Sequence, residues 1–536
     1  MTAATRDPLA PRLRWFGWGP PGTPAVELPE AAEPLLAQLG VPDVHTPPVA
    51  LEDVRLPASR LDPAPLAAIV GPDHVRDDRL TRVAHAAGRS YLDLLALRAG
   101  DAENAPDAVV YPADADEVAA VLAACAERGI DVVPFGGGTS VVGGVTPPAD
   151  RERPLIALDL ARLDRLLAVD ATSLTATAEA GILGPELERR LGEHGLTLGH
   201  HPQSFEFSTL GGWVATRSAG QASTGYGAIA DAVVALRCST PAGELVTRDV
   251  PATAAGPDLR ELLIGSEGAL GVITAVTIRV RPVPAERRYE AWTFPSFAAG
   301  VEALRELEQA GAAPDVTRLS DEAEVALNRV VAAHTAAIDG DGVAAILGWE
   351  GDPDRVAARR EASAAIARRH GGRPVPGDGG EQWAASRYAA PYLRDVLLDR
   401  GVLVETLETA APWSRLAEVH TAVAEALDGA LRATGTPPLV LCHVSHVHPT
   451  GASLYFTVLA AQARGAEAEQ WRAAKGAALD AMLAHGATIT HHHAVGRDHA
   501  PWLPGEIGTL GADTLQAVKR RLDPAGVMNP GVLGLR

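Results

Sequence analysis

Cysteine is scarce in this sequence, and its scarcity excludes two classes of protein. Only three cysteines occur among 536 residues, far apart at Cys125, Cys238 and Cys442. An odd number of widely spaced cysteines supports neither a disulfide framework nor a thiolate metal site, and it is typical of a reducing compartment. We therefore expect a cytoplasmic chain without structural disulfides.

Positive charge and long apolar runs are also in short supply. The 47 Lys and Arg residues against 67 Asp and Glu residues give a net charge of −20, which repels phosphodiester backbones and argues against a nucleic-acid partner. No stretch reaches the roughly 20 apolar residues of a membrane span. The start of the chain lacks the apolar run of a signal peptide, and its last residues, GVLGLR, are not a peroxisomal signal. These absences also favour the cytoplasm.

Glycine is abundant instead, and three glycine-rich segments lie between residues 134 and 274. The first, PFGGGTSVVGG, follows an apolar run, and its consecutive glycines allow several backbone N–H groups to form a nest that can hold a pyrophosphate. It is neither a Rossmann fingerprint nor a P-loop, and alone it serves equally as a tight turn. FSTLGGWVATRSAG and GSEGALGVIT place further glycines beside small residues, as expected where main chain packs against a flat ligand. Together the three segments predict a bound cofactor.

The order of periodic segments predicts an α+β fold. Asp114 caps an amphipathic helix that ends at Gly129, and a short buried strand then leads into the first glycine-rich segment. Prolines at residues 282–284 predict a domain boundary, before a second, mixed domain. The aromatic cluster RWFGWG near the start predicts a local anchor packed on the body. The tail after residue 480 is expected to contain a helix, a His-rich strand and a last helix.

The order of PFGGGTS, HPQSFEFSTLGGWVATRSAG and GSEGALGVIT resembles the FAD-binding domain of the vanillyl-alcohol-oxidase-type flavoproteins. Within that superfamily the chain is similar to the alkyldihydroxyacetonephosphate synthases, also called alkylglycerone-phosphate synthases. The likeness covers nearly the whole chain, through RWFGWG, TRLSD, YLRD, ETLETAAPW, GASLYF and THHHAVG. It implies a two-subdomain FAD-binding domain at residues 75–284 and a mixed α/β cap domain at residues 285–480. An N-terminal segment at residues 1–74 precedes them, and a C-terminal segment at residues 481–536 returns to the flavin.

The resemblance also implies a function. Such an enzyme is an FAD-dependent transferase of ether lipid biosynthesis, which exchanges the acyl chain of acyl-dihydroxyacetone phosphate for a fatty alcohol. The exchange has no net redox change and proceeds through an adduct between the substrate and a non-covalently bound FAD. The expected partner is a lipid substrate, no metal is expected, and a homodimer or a peripheral membrane contact stays open. The alternatives are an FAD-linked oxidase or dehydrogenase of a 2-hydroxy acid or hydroxylated lipid, and a binding module without catalysis.

Site residues follow from the resemblance position by position. Arg394 is implied to hold the substrate phosphate, a task that suits a planar, bidentate guanidinium. Tyr455 is implied to transfer a proton at the reacting carbon. Arg318 and His200 are implied to lie in or near the active site. The residues implied to bind the cofactor are Pro134, Phe135, Gly136, Gly137, Gly138, Thr139, Ser140, Gln203, Ser204, Ser208, Thr209, Thr216, Arg217, Ser218, Ala219, Glu267, Gly268, Gly271, Val272 and Ile273.

The histidine triplet His491, His492 and His493 leaves three chemistries open. On a strand, His491 and His493 would share one face and His492 would point away, so at most two could converge on one site. General acid and base work, a metal site and a plain structural run are the alternatives. The family's own triplet at this place favours the first, since imidazole titrates near neutrality.

A second cluster, His443, His446 and His448, is where the chain departs from the family pattern. Animal members of the family carry Arg, Gln and Tyr at these three positions. They also carry an aromatic residue where this chain has Thr457. These positions neighbour the expected pocket, and the second cluster is what makes a metal site a serious alternative. The departures allow a different substrate even where the flavin chemistry is kept.

Overall fold

The structure, a computed structural model, describes residue 7 and residues 9–24, 26–330 and 342–536. Its strands are β1 (Val75–Arg76), β2 (Ala108–Val110), β3 (Asp131–Phe135), β4 (Leu155–Asp159), β5 (Leu166–Asp170), β6 (Thr175–Glu179), β7 (Leu196–Thr197), β8 (Val233–Thr240), β9 (Gly243–Val246), β10 (Val272–Arg279), β11 (Arg281–Pro282), β12 (Glu286–Phe294), β13 (Val316–Ser320), β14 (Val343–Gly351), β15 (Arg373–Pro374), β16 (Val402–Pro412), β17 (Leu439–His448) and β18 (Gly451–Ala461).

The helices are α1 (Glu33–Gln38), α2 (Ala64–Val70), α3 (Arg79–Ala84), α4 (Tyr91–Arg98), α5 (Ala115–Arg128), α6 (Gly184–Gly192), α7 (Leu210–Thr216), α8 (Ser223–Tyr226), α9 (Ile229–Ala232), α10 (Arg260–Leu263), α11 (Phe297–Gln309), α12 (Glu322–Val330), α13 (Pro353–Arg369), α14 (Gly379–Ser386), α15 (Ala390–Asp399), α16 (Trp413–Ala433), α17 (Glu467–Ala484) and α18 (Leu503–Leu522). Within the described ranges, none of these helices offers an apolar stretch long enough to cross a membrane.

Sheets of the first half of the chain form the predicted α+β architecture. One has the order β1-β2-β4-β3, another the order β5-β6-β10-β8-β9, and β7 pairs with β11. Helix α5 packs its apolar face into the core between them, because Val118, Val121, Leu122 and Cys125 recur on one side of the helix. It starts at the Asp114 cap and ends at Gly129 with φ +64, as the sequence predicts.

A seven-stranded antiparallel sheet carries the second half, in the order β15-β12-β14-β13-β17-β18-β16. Its strands β17 and β18 and the edge strand β16 pair along most of their length, so that Tyr455 lies between Glu408 on one side and His443 on the other. Helices α11, α13, α16 and α17 cover its apolar face. The strand before residue 283 belongs to the first group of sheets and the strand after it to this sheet. The predicted domain bounds themselves stay predictions.

A bulge in β17 changes which side chains share a face. Between two paired positions, Val444 with Leu454 and Val447 with Ala452, β17 has one residue more than β18. The extra residue reverses the alternation of the strand, so His443 and His446, which a regular strand would place on opposite faces, can face the same side.

One predicted element is wrong. The tail does not contain a His-rich strand, because residues 490–496 form an irregular loop between α17 and α18. The backbone N–H groups of this loop are taken by side-chain carboxylates rather than by a neighbouring strand. A strand needs those donors for its ladder, which explains why it does not form.

The aromatic anchor near the start packs where the sequence predicts, on the body of the protein. Trp18 stacks edge-on against Phe207 with ring centroids 5.5 Å apart, and its backbone N–H donates to Asp395 Oδ2 at 2.7 Å. Arg14 forms an ion pair with the same carboxylate at 3.2 Å. The anchor thereby joins a glycine-rich loop to α15, the helix that carries Arg394.

The C-terminal segment returns to the first domain through main-chain pairing and through Lys519, which also forms a buried ion pair within the segment. Val132 N donates to Val527 O, and Asn529 N donates back to Val132 O, both at 2.8 Å. Lys519 Nζ donates to Asp523 Oδ2 at 2.7 Å and to Ala269 O at 2.9 Å, with both charged side chains essentially inaccessible to solvent.

Replacing Lys519 with Met tests this attachment. The substitution leaves the Asp523 carboxylate buried without its cation, which costs about 3–5 kcal/mol. We expect calorimetry to show a thermal unfolding midpoint several degrees below that of the wild type. Arg520→Met, on the exposed neighbouring residue, is the matched control and should leave the midpoint unchanged. Equal midpoints for the two variants would show that the ion pair does not hold the segment.

Candidate functional site

The first glycine-rich loop presents a row of free backbone donors. Among the described residues, none accepts a hydrogen bond from the backbone N–H groups of Gly136, Gly137, Gly138, Thr139 or Ser140. Unpaired N–H groups in a half-buried loop carry a cost unless a ligand or water accepts from them. Successive free N–H groups form an anion-binding nest, so the loop suits a pyrophosphate. Gly136 and Gly137 also line an open cleft beside Phe135 and His85.

The glycines of this loop are required by close packing. A Cβ on Gly137 would overlap the carbonyl oxygen of Phe207, and one on Gly136 would overlap the hydroxyl of Thr209. Gly138 has φ +67, a left-handed conformation that favours glycine. The first and second glycine-rich segments are therefore in direct contact, and they present main chain rather than side chains to a ligand.

Several side chains predicted to bind the cofactor are used inside the protein. The Ser208 hydroxyl accepts a hydrogen bond from Trp213 Nε1 at 2.6 Å, and Thr209 caps α7 by accepting from Gly212 N. Arg217 pairs with Glu261 at the surface. Val272 and Ile273 lie in β10 and belong to the core. For these five residues, the structure shows a role in shaping the loops.

His200 lies inside the first domain, apart from the histidine clusters. Its Nε2 contacts Ser218 Oγ at 3.2 Å, and its ring lies 4.9 Å from the indole of Trp213. Burial lowers the pKa of His200 to about 3, so the imidazole is neutral. This histidine positions the Thr216–Ala219 loop, and no contact of its ring with the Tyr455 region is found in the part of the chain that the structure describes.

Two buried carboxylates hold the loop that carries the histidine triplet. Glu408 in β16 accepts from three consecutive backbone N–H groups, those of His491 at 2.5 Å, His492 at 3.1 Å and His493 at 2.8 Å. The Thr490 hydroxyl donates to the same carboxylate at 2.6 Å. Because Glu408 is 1% exposed, these four bonds replace its hydration shell and fix the backbone of the triplet.

The second carboxylate comes from the other domain. Glu267, in the third glycine-rich segment, accepts from Val495 N at 2.9 Å and from Gly496 N at 2.8 Å. Its backbone is left-handed, with φ +50, and its own carbonyl accepts from Asn529 Nδ2 at 2.7 Å. Glu267 was predicted to bind the cofactor; the structure shows it binding the histidine loop, directly beneath the segment where the cofactor is expected.

The protonation of the two carboxylates differs. Burial alone raises the pKa of Glu408, but the neighbouring imidazoles and the Thr490 hydroxyl outweigh it, so the pKa lies below its ordinary value and the group is ionised. Burial raises the pKa of Glu267 to about 7, although the two backbone N–H groups act in the opposite direction. Glu267 thus titrates near neutral pH while Glu408 stays charged.

Tyr455 lies at the centre of the histidines. Its ring stacks on His443 with centroids 4.8 Å apart, and it lies 6.0 Å from His492 and 5.4 Å from His493. Burial raises the pKa of Tyr455 to about 12, so the phenol keeps its proton at neutral pH. The expected convergence of Tyr455 and the triplet is found here.

Arg318 reaches the same place through His443. Its Nη1 lies 3.1 Å from His443 Nε2, and its Nη2 donates to Glu324 Oε1 at 2.8 Å. The Nδ1 of His443 lies 3.0 Å from the same carboxylate oxygen and 3.0 Å from Arg318 Nη2. Although burial acts to raise it, the pKa of Glu324 falls to about 2 because Arg318 and His443 favour the charged form.

The remaining histidines contact one another through ring nitrogens. His491 Nδ1 lies 3.1 Å from His492 Nδ1, and His491 Nε2 lies 2.9 Å from His448 Nε2. His446 Nδ1 lies 2.5 Å from Ser223 Oγ, and its ring stacks on His491 at 5.1 Å. Burial lowers the pKa values of all these imidazoles, that of His491 to about 4.

Arg394 in α15 lies next to Asp395, and its charge acts on both Asp395 and Glu405. Asp395 pairs with Arg14 and Trp18 N, and Glu405 accepts from the backbone N–H groups of Tyr91 and Thr406. Within the described residues, the buried Nε of Arg394 has no hydrogen-bond partner. Arg394 is half-buried, and a guanidinium with an unused buried donor can bind an anion such as a phosphate.

Glu408 is the functional residue that the sequence reasoning missed. It lies in ETLETAAPW, a segment that supports the family resemblance without indicating a role for any residue in it. The available signal was an acidic residue between Leu407 and Thr409 in a largely apolar strand, since an acid at a core position is rarely tolerated without donors to satisfy it.

Comparison with known proteins agrees with this geometry. A family model described as FAD binding domain matches residues 106–249, and one described as FAD linked oxidases, C-terminal domain, matches residues 283–533. The alkyldihydroxyacetonephosphate synthase of Dictyostelium discoideum is 31% identical, over 97% of this chain and 93% of its own length. That of Caenorhabditis elegans is 34% identical, over 83% of this chain and 79% of its own length. A solved alkyldihydroxyacetonephosphate synthase structure gives a TM-score of 0.82 at 29% identity, covering 97% of this chain and 98% of that chain. The predicted FAD-binding fold and cofactor are confirmed.

Gly137→Ala tests the fit of the first loop to FAD. The added methyl group overlaps the main chain of Phe207, so the loop must move and its free N–H groups no longer converge. We expect the purified variant to be colourless or to bind FAD at least 10-fold more weakly, measured by quenching of flavin fluorescence. Gly192→Ala adds the same group where nothing lies within 4 Å, and it should bind FAD normally. Full binding by Gly137→Ala would exclude this loop from the cofactor site.

Glu267→Gln tests the titration of the second carboxylate. Since the pKa of about 7 lies above the ordinary 4.5, the folded chain binds more protons than the unfolded chain between these values. The stability that Glu267 contributes is therefore complete below pH 4.5 and lost as the pH rises through 7. The amide does not titrate, so we expect the unfolding free energy of the variant to gain about 3 kcal/mol on the wild type across this window. Denaturant titrations of both proteins at a series of pH values measure this gain, and a pH-independent difference would contradict the assignment.

Proposed function

The chain belongs to the alkyldihydroxyacetonephosphate synthase family of FAD-dependent enzymes, and we propose that it forms the ether bond of this family's product. The reaction exchanges the acyl chain of an acyl-dihydroxyacetone phosphate for a fatty alcohol without net oxidation or reduction. The observation that carries the proposal is the convergence of Tyr455, the histidine triplet and Arg318 on a loop held by both domains. The reaction requires three further features near this loop: a residue that binds the phosphate (the phosphate clamp), a group that transfers a proton, and a main-chain site for the cofactor (the cradle).

The cradle consists of main chain. The N–H groups of Gly136–Ser140 would hold the FAD pyrophosphate, and the packed glycines of the second and third segments would line the extended cofactor. When bound, FAD supplies an electron-poor ring system next to the reacting carbon. The loop at residues 491–496 is tied to the third segment by Glu267, which places the histidines at the cofactor side of the cap sheet.

The phosphate clamp is Arg394. Its buried Nε has no hydrogen-bond partner among the described residues, so this donor can bind a substrate anion. Binding the phosphate there leaves the rest of the substrate to extend along β16 and β18 towards Tyr455. Burial raises the pKa of Glu405, and the charge of Arg394 acts in the opposite direction. Burial also raises the pKa of Tyr455, and the Glu405 carboxylate adds to this effect. Arg394 and Tyr455 therefore both lie within electrostatic reach of Glu405.

Proton transfer is assigned to Tyr455 with its imidazole neighbours. The phenol is protonated at neutral pH, so it can donate to an oxygen of the substrate and be reprotonated through an adjacent ring. His443 is oriented for this by Arg318 and Glu324, and His493 lies on the other side of the phenol. The phenol needs both neighbours, since its raised pKa makes it a weaker proton donor and leaves little phenolate at neutral pH.

The setting of the enzyme is also a proposal. Three free and buried cysteines suit a reducing cytoplasm. A homodimer and a peripheral membrane contact would serve the handling of long alkyl chains, and Leu510 in α18 offers an apolar side chain that is 79% exposed. The domain bounds at residues 75, 284 and 480 are proposed as well.

Tyr455→Phe and Arg394→Lys test the two roles separately. With labelled fatty alcohol, acyl-dihydroxyacetone phosphate and no electron acceptor, the wild type should yield a labelled, phosphate-bearing lipid. We expect Tyr455→Phe to lower kcat by about 10²–10⁴-fold with FAD still bound, because the proton-transfer group is lost. Arg394→Lys should raise KM by roughly 10- to 100-fold, because a charged bidentate contact is reduced to a single one.

The controls distinguish this function from the oxidase alternative. Arg400→Lys, in the surface ion pair with Glu33 just after α15, should match the wild type in both constants. Anaerobic mixing with a 2-hydroxy acid should leave the yellow flavin absorbance unchanged. Rapid bleaching of the flavin, with no incorporation of labelled alcohol, would replace the transferase by an oxidoreductase.

A further inference from the structure

Three histidines converge beside the proposed reaction site, two of them from the triplet and one from β17. His446 in β17 and His491 and His492 in the loop after α17 each place a ring nitrogen within 4.8 Å of the other two. They come from two distant segments of the chain. His446 is 5% exposed, and the other two are partly buried. We propose that these three imidazoles bind a divalent transition-metal ion of the Zn²⁺ class.

The distances between the nitrogens suit a shared cation. Two imidazole nitrogens that both bind Zn²⁺ at about 2.0–2.1 Å in tetrahedral geometry lie about 3.3 Å apart. His491 Nδ1 and His492 Nδ1 lie 3.1 Å apart and face each other. Small rotations of the His446 ring, which is stacked on His491, complete the group. Three neutral nitrogen ligands are the set that Zn²⁺ accepts in sites that keep an open position.

The other ring nitrogens are already partnered as metal ligands require. His446 uses Nδ1 for Ser223 Oγ at 2.5 Å, which leaves Nε2 for the ion. His491 uses Nε2 for His448 Nε2 at 2.9 Å, which leaves Nδ1. Such outer contacts fix the tautomer and the orientation of a ligating histidine. A hydrogen bond between two of these histidines would require only one of the two outer contacts, whereas the structure has both.

The backbone that carries the ligands is rigid. Glu408 fixes the main chain of His491 and His492 through their N–H groups, and the bulge in β17 turns His446 to the same side. Preorganised ligands on a fixed backbone raise metal affinity because little ordering remains to be done on binding. The arrangement also divides the triplet, with His491 and His492 on the metal and His493 beside Tyr455.

Three protein ligands leave a fourth position open. We assign it to a water molecule or to an oxygen atom of the substrate, which the ion would polarise as a Lewis acid. This role rests on the proposed function, whereas metal binding itself does not. The two can therefore fail separately: a chain that binds Zn²⁺ but makes no ether lipid keeps the site and loses the substrate.

The experiment uses the untagged, FAD-loaded full chain after removal of metal by a chelator. Isothermal titration with Zn²⁺, and metal analysis after gel filtration, should show about one tightly bound equivalent. Co²⁺ in place of Zn²⁺ should give the intense visible bands of a tetrahedral site, at wavelengths beyond the flavin absorbance. Weak octahedral bands, or no bound metal, would overturn the proposal.

Variants locate the ion. His446→Ala should lose more than about 100-fold in Zn²⁺ affinity, and Ser223→Ala, which removes only the outer contact, about 10- to 100-fold. His485→Ala, on an exposed histidine paired with Glu418, is the matched control and should bind as the wild type does. Flavin absorbance and circular dichroism show whether each variant is folded. Equal metal content in folded His446→Ala and in the wild type would also overturn the site.

Discussion

The carboxylate of Glu408 and the three consecutive N–H groups that it accepts are the interaction on which the rest of the site depends. Glu408 is ionised and has almost no access to water, so protein donors must supply its hydrogen bonds. These hydrogen bonds fix the backbone of the histidine loop. Glu267 holds the next two N–H groups from the FAD-binding domain. One short loop thereby joins the cap sheet to the cofactor cradle, and the position of each histidine follows from that joint.

The same interaction explains the element that sequence periodicity predicted wrongly. A run of histidines before a valine and a glycine suits a strand, and in a strand alternate side chains separate. Here the donors that a strand would use are consumed by Glu408, which is distant in sequence but adjacent in space. The loop can then place neighbouring rings on one side, so His491 and His492 meet. A periodicity argument has no information about a carboxylate some 80 residues away.

Elements whose boundaries are local were predictable. The Asp114 cap, the apolar face of α5 and Gly129 all lie within one segment, and the glycine-rich loops carry their own conformational requirement. The contacts that complete the site join separate elements of the fold. The ion pairs from Asp395 to Arg14 and from Arg318 to Glu324, and the β17 bulge, depend on which strands and segments pair. The resemblance to a known family identified many of these residues, and the structure adds the contacts that some of them, such as Ser208 and His200, make within the protein.

The protein as a whole repels anions, whereas its proposed site must attract one. The chain carries a net charge of −20, yet its proposed substrate is an anion. Local pairing reduces the conflict: one oxygen of Asp395 binds Arg14, Glu405 accepts from main-chain donors, and one oxygen of Glu324 binds Arg318 and His443. Arg394 keeps an unused buried donor among them. Which ion a pocket binds depends on the charges within a Debye length and on the donors or acceptors that are still unpaired there. In this site, both favour an anion.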